Sequence, residues 1–129
     1  MSVICNNLST AVWIYDIDQY RIHWANSAAL LLWEADELAE LLERDFRPTT
    51  SEAVQRTLHG YRNAFLNKES VSMFWRFTPK GIAKEAFCQM SGYQFADGRI
   101  GLQCEATTSP LFKNHNQHNS IIMLSTYTM

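Results

Sequence analysis

The stretch that decides the fold is VWIYDIDQYRIHWANSAALLLW, residues 12–33. Val12 to Asp16 is short, β-branched and aromatic, and Asp16, Asp18 and Gln19 supply a turn immediately after it. Arg21 to Ala25 resumes with Ile22 and Trp24 on one face and Arg21 and His23 on the other. Two short runs separated by turn residues read as an antiparallel hairpin. Asn26 or Ser27 then caps a short apolar element, Ala28 to Trp33.

Outward from that hairpin, Ala35 to Phe46 has helical spacing. Leu38, Leu41 and Leu42 point one way, while Glu37, Glu40 and Glu43 face water. Pro48 breaks the chain, and Thr49 with Glu52 has the spacing of a capping box. Val54, Leu58, Tyr61 and Phe65 recur at intervals of four, three and four, which predicts an amphipathic helix over residues 51–66. Gly60 inside it costs about 1 kcal/mol relative to Ala.

From Ser70 the period changes to two. Val71, Met73, Trp75 and Phe77 share a face, and Pro79-Lys80-Gly81 ends the run. Lys84 to Phe95 alternates Ala86, Cys88 and Met90 against Phe87, Gln89 and Tyr93. Asp97-Gly98 marks a second hairpin turn, and Arg99 to Ala106 places Ile100, Leu102, Cys104 and Ala106 on one face. The fold class is therefore α+β: a five-stranded antiparallel sheet with one face covered by a short-helix cluster and one longer helix. Trp13, Tyr15, Phe74, Phe87 and Tyr93 are the large residues expected on the open face, depending on register. A face of that kind predicts a homodimer or a covering helix.

Composition narrows the function. The chain has 129 residues, 47% of them hydrophobic and only 19% charged, with a net charge of −2. A duplex binder would want a basic field, so no nucleic-acid partner is expected. No long apolar run is present, which argues against direct membrane contact and for a cytoplasmic chain. Cys5, Cys88 and Cys104 show no CxxC spacing, so neither a disulfide framework nor a zinc site is suggested. Residues 1–10 read as an N-terminal extension and 11–107 as the domain. Residues 108–129 read as a linker with an incomplete segment of a following unit, because Ile121 to Leu124 echoes Val12 to Ile14.

The pattern resembles a PAS sensor domain. Val12-Trp13-Ile14-Tyr15-Asp16 with Ile22-His23-Trp24-Ala25-Asn26-Ser27 looks like that family's opening strands and first cap. Trp75 through Gly81, Phe87 through Gly92, Asp97-Gly98-Arg99 and Glu105-Ala106-Thr107 are similar to its last three strands. The closest likeness is to N-terminal sensory modules of bacterial histidine kinases and of cyclic-dinucleotide cyclases and phosphodiesterases. The resemblance implies a non-enzymatic sensing or dimerisation module, with downstream signalling domains in a longer parent. Fold likeness names neither a ligand nor a cofactor.

A small ligand would lie between the helices and the sheet. The candidate lining is Trp24, Leu58, Tyr61, Met73, Trp75 and Cys88, with Ile14, Leu42 and Leu102 beside them. Each is equally a core residue, so a ligand-free structural or protein-interaction module is the alternative. Trp24 and Trp75 each add an indole N–H that could orient a guest. His59, next to Leu58 on the long helix, is the haem candidate, since haem-binding members of the family offer a helix histidine to iron. Cys88 and Cys104 alternate inward and read as core thiols. His115 and His118 stand three apart in a polar tail and do not make a metal site. A small enzyme using His59 or His23 as a base is the remote alternative, because neither has a second polar partner in the pattern.

Overall fold

Asn26 joins the first hairpin to the helices in the computed structural model, which describes residues 10–81 and 83–107. The expected terminal extension before Thr10, the linker at 108–129, His115, His118 and Cys5 lie outside the described residues. The elements run β1 (Ala11–Asp16), β2 (Arg21–Ala25), α1 (Ser27–Leu32), α2 (Leu38–Glu43), α3 (Glu52–Leu66), β3 (Val71–Phe77), β4 (Lys84–Gln94) and β5 (Ile100–Thr107). The five strands form one sheet in the order β2-β1-β5-β4-β3, with every neighbouring pair antiparallel. The early hairpin and the late strands thus share a sheet, and β1 against β5 is the seam.

The first turn is built by Asp16. Its Oδ1 accepts from the backbone N–H groups of Asp18 at 3.0 Å and Gln19 at 3.2 Å, and Tyr20 closes the turn in the left-handed region at φ 59°. At the other end of the hairpin Asn26 is fully buried. Its Oδ1 accepts from Ala29 N and from Val12 N, both at 3.0 Å, while its Nδ2 donates to Thr10 O at 3.0 Å. One side chain therefore caps α1 and stitches that helix to β1.

Residues 35–46 fold as a shorter helix than their spacing predicts. Ala35 N donates back to Leu30 O at 2.9 Å, with Glu34 left-handed at φ 53°, so these residues complete the end of α1. At the far end Arg44 leaves the helix. Its guanidinium donates to two carbonyls just past the end of α1, Trp33 O at 2.7 Å and Glu34 O at 3.0 Å, and pairs with Glu40. The capping box at Thr49 and Glu52 does not form. Thr49 Oγ1 turns back to donate to Phe46 O at 3.3 Å, and Ser51 caps α3 by accepting from Val54 N at 3.2 Å.

Along α3, Val54, Leu58 and Phe65 are buried and Tyr61 packs half-buried against the same core. Each fully buried side chain contributes about 1.5–3 kcal/mol, enough to hold a helix that carries Gly60. Gly92 sets how closely that helix lies on β4, because a Cβ there would meet Phe65 Cβ at 2.8 Å.

Two orientations differ from the alternation in the sequence. Trp13 and Tyr15 belong to the inner face, at 3% and 2% exposure, and not to the open face. All six residues of β1 are buried, so the strand carries no polar alternation that would mark its faces. In β2, Ile14 pairs with Trp24 but Tyr15 pairs with Ile22, leaving His23 as the extra residue of a bulge. The bulge reverses the parity. Ile22 and Ala25 enter the core, while Trp24 joins Ile14 on the outer face. Phe74, Phe87 and Tyr93 do lie on the outer face, where the rings of Phe74 and Phe87 meet at 5.0 Å.

Candidate functional site

The inner face of the sheet and α3 border a partly open cavity of about 10 Å³. Leu58 covers it from the helix. Trp13 and Tyr15 of β1, Trp75 and Phe77 of β3, Cys88 and Met90 of β4, and Leu102 and Cys104 of β5 complete the lining. A volume near 10–15 Å³ admits one water-sized particle, whereas sites for organic ligands occupy about 300–1,000 Å³. The space beside it is filled by aromatic rings centred on Trp33, whose centroid lies 5.0 Å from Phe77, 5.1 Å from Phe46 and 5.6 Å from Trp13. Edge-to-face packing of this kind leaves little free volume.

The candidate residues distribute as follows. Leu58, Trp75, Cys88 and Leu102 face the cavity. Tyr61 and Met73 lie half-buried at the edge of the core, outside the lining, with Tyr61 Oη 2.9 Å from Met73 Sδ. Leu42 packs against the core without reaching the cavity. Trp24, through the bulge, and Ile14, which alternates with the inward Trp13 and Tyr15, are on the other side of the sheet, so neither lines the space. His59 is exposed on α3 and points away from the cavity. For this haem candidate, one position along a helix turns a side chain by about 100°, and Leu58 takes the inward direction. His23 is also exposed, with its ring 5.0 Å from Phe95 on the outer face.

Sequence reasoning missed Trp13, Tyr15, Phe77, Met90 and Cys104 as lining. Met90 and Cys104 were within reach, since each alternates with residues already assigned inward. Trp13 and Tyr15 were not, because β1 is buried on both faces.

The interior is electrostatically quiet. Burial pushes the Tyr15 phenol well above its usual range, partly offset by Thr50 beside it. Among the described residues the Tyr15 Oη nevertheless has no hydrogen bond of good geometry, while Thr50 Oγ1 donates to Phe46 O. Trp33 Nε1 is also buried without a partner among the described residues. Burial, followed by the neighbouring Cys88 thiol, raises the Cys104 thiol.

Charge gathers instead on the rim. Arg99 Nη1 contacts Asp16 Oδ1 at 2.9 Å and Asp18 Oδ2 at 3.2 Å, its Nε contacts Asp97 Oδ2 at 2.7 Å, and Arg62 of α3 reaches Asp18 Oδ1 at 2.9 Å. These pairs tie both hairpin turns to the long helix. Among the described residues no three His, Cys, Asp or Glu side chains converge as metal ligands, and no helix is long and apolar enough to cross a membrane.

A five-stranded antiparallel sheet that carries its helices on one face, over a small core cavity, defines an architecture of sensing and signalling modules. The sequence model of the PAS domain family matches residues 4–69, just over half of the chain, and the chain belongs to that family. Solved structures share the fold. The PAS domain of nitrogen regulation protein NR(II) from Vibrio parahaemolyticus superposes with a TM-score of 0.63 at 21% identity, covering 84% of this chain and 96% of that one. The PAS domain of an HTR-like protein from Haloarcula marismortui gives 0.63 at 16% identity, covering 82% and 91%. The Vibrio cholerae VqmA dimer gives 0.58 at 17% identity, covering 81% of this chain and 48% of that one. Among curated proteins no significant match is found.

Proposed function

We propose that this chain is a non-enzymatic PAS module of a bacterial signal-transduction protein, acting in the cytoplasm through association of two copies. Its core is filled by its own side chains, and residues 108–129 link it to a following unit. The observation that carries this reading is the cavity of about 10 Å³, far below the size of an organic cofactor. The low charged fraction of 19% suits a surface partly covered by a second copy, and VqmA is described as a dimer. In such a module, a signal acts only if it favours one packing of the two protomers over another. Native mass spectrometry with light scattering at micromolar concentration tests both halves. The expected result is twice the chain mass with no retained organic molecule, and a strict monomer overturns the reading.

A second reading is a module that opens to admit a small organic ligand. It is favoured by Trp33 Nε1, a buried donor with no partner among the described residues, since leaving such a group unpaired costs about 1–3 kcal/mol that a ligand acceptor would recover. VqmA, a structural neighbour, has been solved bound to DPO. A retained small molecule in the same mass spectrum would select this reading.

A further inference from the structure

The cavity that is too small for an organic cofactor is of ionic size, and three sulfur side chains line it. Cys88, Met90 and Cys104 all face it, at 0%, 3% and 1% exposure. The sheet register brings them together. Met90 is directly opposite Cys104, and Cys88 is opposite Ala106, one inward position along, so the two cysteines are diagonal neighbours on adjacent strands. Ala106 is small and leaves room at that crossing. Cys88 Sγ also lies 3.7 Å from Ala86 O.

A water in this space would need two to four polar partners. The lining offers mostly sulfur, aromatic carbon and aliphatic carbon. Carboxylate and imidazole are absent from it, so hard cations have no ligand. Zinc normally takes four tetrahedral ligands, and three sulfurs fall short. Thiolate with thioether is the donor set that soft Cu(I) prefers. We propose that Cys88, Cys104 and Met90 form a binding site for one soft monovalent metal ion of the Cu(I) class.

The charge balance follows from burial. An ion entering as Cu(I) forms one thiolate–copper bond as one S–H bond breaks, and that proton leaves to solvent. The second thiol and the thioether coordinate as neutral donors, so no net charge is left in the apolar core. Releasing both protons would strand an unpaired negative charge there, which is strongly disfavoured. The site depends on this core cavity and not on association of two copies.

The test uses the full chain with Cys5→Ser, which removes the third thiol, reduced and kept free of oxygen. Cu(I) is titrated in competition with bicinchoninate. The expected result is one ion per chain, sulfur-only X-ray absorption, and a rise in Tm on loading. Cys88→Ser and Cys104→Ser should each weaken binding by about a hundredfold or more, and Met90→Leu by about tenfold, the scale at which removing a supporting group shows. Met90→Leu conserves core volume, so its effect is readable even if the serine variants unfold. No uptake by the Cys5→Ser chain overturns the site, as does nitrogen or oxygen coordination, or undiminished uptake in Met90→Leu. If copper fails to bind while light scattering still finds a dimer, only the metal site falls.

Discussion

Asn26 shows how much one side chain can organise. Three of its hydrogen bonds satisfy two backbone N–H groups and one carbonyl around a fully buried position. Asn26→Ala removes a helix cap, worth about 1 kcal/mol, and leaves further buried groups unpaired at about 1–3 kcal/mol each. Urea unfolding should register a loss of about 3 kcal/mol or more, and Asn26→Ser should recover only the cap. A serine variant as stable as the parent would show that the tie to β1 contributes nothing. The cap was legible in the sequence because a short polar residue precedes a run of small ones. The tie was not, since Val12 and Thr10 stand 14 and 16 residues away and only strand pairing brings them close. Asp18 gives a pH-dependent counterpart. Burial pushes its pKa up, but hydrogen bonds from Arg62 and Arg99 together outweigh that and hold it below the usual 3.8. A carboxylate lowered on folding stabilises above its unfolded pKa and loses that contribution as pH falls through the folded one. Its side chain is 35% exposed, so solvent screening limits the pair to about 1 kcal/mol or less. Asp18→Asn should therefore be mildly destabilised at pH 7, with the difference closing below about pH 4. A difference that persists at pH 2.5 would mean that the charge is not its source.

At the scale of elements, two glycines make opposite predictions. Gly60 sits inside α3 with nothing within 4 Å of an added Cβ. Gly60→Ala should raise stability by about 0.5–1 kcal/mol, through helix propensity alone. Gly92 lies under the same helix, where an added Cβ would come within 2.8 Å of Phe65 Cβ. That atom is next to the helix backbone and cannot swing aside, so α3 must lift. Gly92→Ala should cost about 1–3 kcal/mol, and the two changes in chemical denaturation should carry opposite signs. Two stabilising results would mean that α3 rides higher over β4 than described. Neither glycine's role could be read from the sequence, where both are interruptions of a regular pattern. The elements themselves were legible wherever one face was wet. In β4 the inward Ala86, Cys88 and Met90 alternate with less buried neighbours, and parity gave the right face. In β1 every position is buried, and in β2 a bulge inserts His23, so parity had nothing to follow in one strand and was reversed in the other. Trp13, Tyr15 and Trp24 were misplaced for those two reasons.

For the whole molecule, the question is whether the volume between α3 and the sheet is occupied. Residue types could not answer it, because the side chains that line a ligand pocket and those that fill a core are the same. The free space depends on how the rings of Trp13, Trp33, Trp75, Phe46 and Phe77 interlock. Trp75 is 1% exposed and borders the small cavity, so Trp75→Ala reports on that packing directly. In a filled core the deletion opens a new void and should cost about 3–5 kcal/mol. In a core that already held ligand-sized space, the neighbours of Trp75 would have fewer contacts to lose and the cost would be well under that range. The filled core makes a second expectation. The void left by an indole side chain is apolar and indole-shaped, and voids of this kind stay dry and accept small aromatic guests. Free indole should therefore raise the Tm of Trp75→Ala in a concentration-dependent manner while leaving the parent unmoved. An equal shift in the parent would place an open pocket in the native protein, and the closed-core reading of its signalling would give way to ligand sensing.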